Sequence, residues 1–166
     1  MNELIGSTRV AAQGREIRVE RHFNAPRARV FEAWTTPEHL KQWWGPRAFP
    51  TTYCTVDFRV GGNWHYCMTG PNGEEAWGNA TYLEIVVPER IVYSDAFSDA
   101  QGGVNPDLPS MTIRIDFIET PAGTTVVSTS QASSAEDVKR LLEMGMAQGI
   151  AETWDRLDEF LQKPSA

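Results

Sequence analysis

The stretch SSAEDVKRLLEMGMAQGIAETWDRLDEFLQKP, residues 133–164, decides the fold. It opens on serines followed by acids. Ser133 with Glu136, or Ser134 with Asp137, approximates a helix capping box. Leu142, Met146, Ile150, Leu157 and Phe160 then fall on one broad stripe, as in a helix with a single apolar face. Pro164 closes the pattern after Leu161. The spacing predicts one helix of about 25 residues, roughly 38 Å long and able to cross a whole domain.

Upstream of this stretch the period changes to two. Trp64, Tyr66 and Met68 alternate with His65, Cys67 and Thr69. Ile17, Val19 and Arg21 alternate with Arg18, Glu20 and His22. Further strands are expected over 49–58, 77–87, 90–97, 111–118 and 124–131. They are punctuated by Gly61-Gly62, Pro71-Asn72-Gly73, Pro88-Glu89 and Pro121-Ala122-Gly123. Between the first strand and the rest, Pro26 and Pro37 each suit a helix start. They predict two short helices, one carrying Val30, Phe31 and Trp34, the other running through Leu40 to Trp43 or Trp44. Residues 1–14 read as a flexible N-terminal tail and 15–162 as a single domain.

Consecutive strands joined by turns make an antiparallel meander. The expected class is therefore α+β, a curved antiparallel sheet of about six to seven strands around a long C-terminal helix. A strongly bent sheet gripping one helix can leave a hollow that side chains do not fill.

Composition narrows the partners. The chain has 166 residues and a formal net charge of −7, which offers no attraction to phosphates. Neither a nucleic acid nor an anionic membrane is expected as a partner. No apolar run approaches a membrane span, and the first residues lack a signal-peptide core, so a cytoplasmic location is expected. Two cysteines do not make a secreted disulfide scaffold. If Phe58 pairs with Asn63, Cys54 lies opposite Cys67; a register shifted by one separates them. No metal-ligand spacing is present, so neither metal nor cofactor is expected.

Bulky residues on single strand faces are the candidate ligand-binding residues. Trp64, Tyr66 and Met68 share one face, and a concave face would make them a wall. Trp77, Tyr93, Phe97, Met111 and Ile113 extend it on neighbouring strands. Core packing alone gives the same pattern. Trp43 and Trp44 cannot both face one core, so Trp44 is a candidate for the cavity rim; both could equally be anchors. On the helix, Met146 and Ile150 face the sheet, with Gly145 and Gly149 beside them. Each helix-interior glycine costs about 1 kcal/mol against alanine, which suggests close approach of the sheet or of a ligand. Residues 98–110 read as a lid or rim, or as a surface insertion. No catalytic residue is assigned, because no nucleophile–base–orienter order is visible. His65, Asp116 and Glu152 are the acid–base groups that an enzyme would have to bring inside.

Several motifs in register carry a family resemblance. They run from Ala25-Pro26 through Val30-Phe31-Glu32-Ala33-Trp34-Thr35-Thr36-Pro37 to Trp43-Trp44-Gly45-Pro46. Asp57-Phe58-Arg59-Val60-Gly61-Gly62-Asn63-Trp64 and Pro88-Glu89-Arg90-Ile91-Val92 follow, then Gly149, Trp154, Leu157 and Leu161 in the last helix. Together they resemble the family named for the activator of the heat-shock-protein-90 ATPase. The resemblance implies the helix-grip fold of the START-like, birch-pollen-allergen-like superfamily, also called SRPBCC. It implies binding of an apolar or aromatic small molecule between sheet and C-terminal helix. A cyclase- or hydrolase-type enzyme and a chaperone-associated interaction module are the alternatives on the same fold. The sequence favours binding over catalysis and leaves a homodimer open.

Overall fold

The computed structural model describes residues 1–164. Its strands follow the period-two segments. In β3 (Glu16–Phe23) the residues Ile17, Val19, Arg21 and Phe23 are buried, and Arg18 and His22 between them are exposed. After the short helices α1 (Arg27–Thr35) and α2 (Pro37–Trp43) come β4 (Thr51–Val56), β5 (Asn63–Thr69), β6 (Glu75–Val86) and β7 (Arg90–Ser98). They are followed by β8 (Met111–Thr120) and β9 (Gly123–Ala132).

The strand count is nine, above the expected six to seven, because residues 1–14 are not a tail. They form a hairpin of β1 (Asn2–Ile5) and β2 (Thr8–Gln13), and β2 pairs with β3. Thr8 and Val10 are fully buried there. So short a hairpin is marginal alone; it is held by adding to an existing sheet edge. The sheet order is β1-β2-β3-β9-β8-β7-β6-β5-β4, with every neighbouring pair antiparallel. Register shifts at Thr51/Tyr53 and Tyr82/Glu84 interrupt the ladders, and such bulges bend and twist a sheet. The unbroken β4–β5 register from Val56–Trp64 to Tyr53–Cys67 decides the cysteine question. Cys54 pairs with Tyr66 and Cys67 with Tyr53, so the two thiols lie on opposite faces and are free.

The C-terminal stretch also differs from expectation. It forms two helices, α3 (Ala135–Glu143) and α4 (Met146–Leu161), rather than one. Gly145 separates them with a left-handed φ of 90°. That conformation interrupts a right-handed helix, and glycine adopts it without a Cβ penalty. Of the two candidate caps, Ser134 is the one used, its hydroxyl accepting the Asp137 N–H at 3.1 Å. The architecture is a helix-grip fold in which α4 carries the grip.

Aromatic packing fills the region under α1, α2 and the second half of α4. Trp34 sits at its centre, with ring centroids 4.8 Å from Trp43, 5.6 Å from Phe117 and 5.7 Å from Trp154. The Trp43 indole donates to the Ala33 carbonyl at 3.0 Å, which satisfies its buried N–H. Arg21, 8% exposed, ties β3 to α4 through Asp155 at 2.5 Å and Asp158 at 3.5 Å. Arg156 donates from α4 to the carbonyls of Gln42, Trp44 and Gly45, and so fixes the chain that leaves α2.

Candidate functional site

The core does not fill the space between the sheet and the first turns of α4. A cavity of about 350 Å³ remains there. Strand alternation supplies its floor. β5 contributes Tyr66 and Met68; β7 contributes Tyr93, Asp95 and Phe97; β8 contributes Met111, Ile113 and Ile115. Ser128 and Ser130 of β9 continue the same face. The roof is Met146, Gly149, Ile150 and Thr153 of α4, and the Trp44-Gly45-Pro46 segment closes one side. Trp43 and Trp44 have divided as adjacent tryptophans must. Trp43 is fully buried, and Trp44 faces the cavity.

Two of the sequence-selected residues are placed differently. Trp64 is 1% exposed and lies behind the wall. Its ring backs those of Trp44, Tyr66 and Tyr93 at 4.7, 5.1 and 5.6 Å. Alternation gives a residue's face but not its depth. Trp77 borders the cavity, yet its ring is on the outer face, against His65 at 5.0 Å and Tyr53 at 5.4 Å. The register explains this, because Trp77 pairs with Cys67 and inward Tyr66 pairs with Gly78. The other nine residues named from the sequence, Trp44, Tyr66, Met68, Tyr93, Phe97, Met111, Ile113, Met146 and Ile150, line the cavity.

The acid–base groups considered from the sequence are all elsewhere. His65 Nε2 lies 3.1 Å from the Asp99 carbonyl oxygen on the outer face. Asp116 accepts twice from Arg114, at 2.8 and 3.1 Å. Glu152 accepts the Arg47 backbone N–H at 2.5 Å. The cavity instead contains Asp95, whose two carboxylate oxygens lie 3.2 and 3.3 Å from the Tyr66 hydroxyl that donates to them. Burial pushes the Asp95 carboxyl up to about 7, and the hydrogen bonds from Tyr66 and from the Ala96 backbone restrain that rise. Asp95 as a residue is only half-buried, since its exposed surface is cavity surface, while protein surrounds the carboxyl itself. The signal for it was present, an acid in the inward series Tyr93, Asp95, Phe97. Burial first, and Asp95 second, raise the Tyr66 and Tyr93 phenols well above their ordinary value, so both remain donors.

Small residues make the Tyr66–Asp95 contact geometrically possible. Between them on β6, Gly78 pairs with Tyr66 and Ala80 pairs with Asp95. A Cβ on Gly78 would collide with the Tyr66 ring and hydroxyl, so the missing side chain lets the phenol lie across the strand. Gly149 has no such constraint. A Cβ there would meet only the Pro46 Cγ, at an ordinary 3.7 Å. The loop over 98–110 is pinned rather than free. Ser98 bridges Val104, Asn79 donates to the Gly102 carbonyl and Arg140 to that of Asp107; Pro109 reaches the cavity lining. Among the described residues, no cluster of three or more His, Cys, Asp or Glu could hold a metal ion.

The family model described as Activator of Hsp90 ATPase homolog 1-like protein matches residues 24–162. The chain belongs to this family. The match begins after β3, so the β1–β2 hairpin lies outside it. The chain is similar to a protein of Arthrobacter aurescens solved by NMR, with 30% identity and a TM-score of 0.87 over 94% of this chain and 92% of that one. It is also similar to a protein of Mycobacterium smegmatis solved by crystallography, with 30% identity and a TM-score of 0.82 over 92% and 93% of the two chains. A Staphylococcus epidermidis protein solved by NMR shares 29% identity and a TM-score of 0.79, over 95% and 96%. No curated protein matches. Activator-of-Hsp90-ATPase-like and SRPBCC-like proteins commonly bind small hydrophobic ligands, and the cavity of this member occupies the region between sheet and C-terminal helix.

Proposed function

We infer that the protein binds one small apolar or aromatic molecule in the cavity beneath α4. The observation that carries this reading is the cavity itself. Its volume of about 350 Å³ falls in the range of small-molecule sites, and its wall is mostly aromatic and aliphatic with a few hydroxyls. Burying about 200 Å² of apolar ligand surface would contribute about 5 kcal/mol before the entropic cost of association. Tyr66, Tyr93, Ser128, Ser130 and Thr153 can then fix orientation by hydrogen bonds. No helix among the described residues is long and apolar enough to cross a membrane. A cytoplasmic location is part of the same proposal.

Fluorescence titration with the neutral fluorophore N-phenyl-1-naphthylamine tests it. One saturable site is expected in the wild type and none in Ile150→Trp, whose added ring fills the roof. Circular dichroism verifies that the variant is folded. A wild type without saturable binding, or a filled variant that binds equally well, refutes the reading. Native mass spectrometry of freshly purified protein would weigh any co-purified molecule directly.

Catalysis on the same fold has one observation in its favour. Asp95 is an acid held near 7 inside the cavity, a value suited to proton transfer at neutral pH. Turnover of a cavity-bound substrate that survives Asp95→Asn unchanged would remove this second reading.

A further inference from the structure

Among the described residues, the cavity lining holds one carboxyl side chain, Asp95, and no lysine, arginine or histidine. An acid surrounded by apolar wall without a basic partner is uncommon, because burying an unpaired charge is costly. Tyr66 and the Ala96 backbone each offer Asp95 one proton, which leaves about half of the four or so lone-pair sites of an ionised carboxylate for another donor. The pair is built into the sheet, since Gly78 and Ala80 clear the strand between the two residues. The same cavity lining holds the rings of Trp44, Tyr93, Phe97 and Trp154, and aromatic faces attract cations.

We propose, resting on the binding role inferred above, that the ligand is an apolar or aromatic amine whose protonated nitrogen pairs with Asp95 while its hydrocarbon body fills the cavity. The ammonium supplies the counter-charge that the free site lacks, and the rings take up the apolar part. A carboxylate ligand would meet Asp95 with like charge, and a plain hydrocarbon would leave the acid without a partner. The titratable groups facing Asp95 are few. Tyr66 from β5 and Tyr93 from its own strand are both held as phenols. Cys54, on β4 opposite Tyr66, is pushed up to about 11 by burial and stays a thiol. No titratable side chain from β6, β8, β9, α3 or α4 belongs to the lining. The pairing therefore follows the ionisation of Asp95, and amine affinity rises from acid to neutral pH.

Two probes of matched shape test this, 2-(2-naphthyl)ethylamine and 2-(2-naphthyl)ethanol, titrated calorimetrically into the wild type and Asp95→Asn at pH 7.5 and 5.5. The amine stays protonated across that range. At pH 7.5 the wild type is expected to bind the amine at least tenfold more tightly than the alcohol. The preference should shrink at least fivefold at pH 5.5 and vanish in Asp95→Asn. Equal binding of amine and alcohol at pH 7.5, or a preference that persists in Asp95→Asn, overturns the amine inference and leaves the apolar-binding reading intact. A preference that does not change between the two pH values also overturns it. That comparison needs only the wild type, so it decides even if the variant does not fold. If neither probe binds the wild type, both readings fall.

Discussion

Replacing Asp95 by asparagine should remove a pH dependence that the cavity acid builds into folding. The carboxyl titrates near 3.8 in an unexceptional setting and at about 7 in the folded protein. Between those values the folded state holds a proton that the unfolded state has released. Stability therefore falls as pH rises from about 4 to about 7, and flattens beyond. Over the interval from pH 5 to pH 8 the loss amounts to about 2 to 3 kcal/mol by linkage, nearer the lower figure if cavity water screens the charge. Asparagine keeps the shape and an acceptor for the Tyr66 hydroxyl, but it cannot ionise. Subtracting its stability from that of the wild type cancels every other titrating group, the three histidines included. Urea denaturation followed by far-UV circular dichroism at pH 5 and pH 8 gives the four stabilities. Relative to the variant, the wild type should lose about 2 kcal/mol or more on going to pH 8. A difference constant to within about 0.5 kcal/mol, or one that grows in the wild type's favour, refutes the argument that burial has raised this acid.

Tyr66→Phe should move the Asp95 midpoint above about 7, because the lost phenol stabilised the ionised form; carbon NMR of the carboxyl reads the midpoint, and a fall contradicts the assignment. Gly145→Ala should cost about 1–2 kcal/mol in urea titrations although its surroundings are empty, since the left-handed backbone is the obstacle. Gly149→Ala should be neutral or stabilise by up to about 1 kcal/mol, and a loss as large as that at Gly145 would show that its close approach matters after all. Trp34→Ala should cost about 3–5 kcal/mol, read as a fall in Tm, because three rings pack on it and cannot collapse into its place. Removing both Asp155 and Asp158 should cost about 2 kcal/mol by leaving the buried Arg21 guanidinium without its carboxylates, whereas adding Arg21→Met to that pair should restore most of the loss.

What was legible in the chain was whatever burial enforces periodically. β3, β5 and β8 each present one apolar face to the core, so their phase is written in Ile17 and Val19, in Trp64 and Tyr66, and in Ile113 and Ile115. The hairpin of residues 2–13 was not legible, because only Thr8 and Val10 are buried in it and its stability depends on β3. The break at Gly145 was masked by an apolar stripe that continues across it, so that Leu142 and Met146 read as one face. The outward ring of Trp77, at the cavity border, was not legible because the phase of β6 there is set by Gly78 facing inward, and a glycine carries no hydropathy signal. Asp95 lay in plain view in the inward series of β7, but apolar patterning registers an acid as a defect rather than as a site.

The two ends of α4 differ in what fixes them, and this bears on how such a protein can change over generations. Its second half carries Leu157, Phe160 and Leu161 into the core and is tied to β3 and the α2 exit by charged side chains. Its first turns present Met146, Gly149 and Ile150 to open volume, where an altered side chain reshapes a hole and leaves the core contacts in place. Under the proposed binding role, selection for folding and selection for a ligand thus fall on different turns of one helix. Descendants can retain the scaffold while their chemical appetites diverge, which accords with backbones that superpose at a TM-score of 0.87 when only 30% of residues agree.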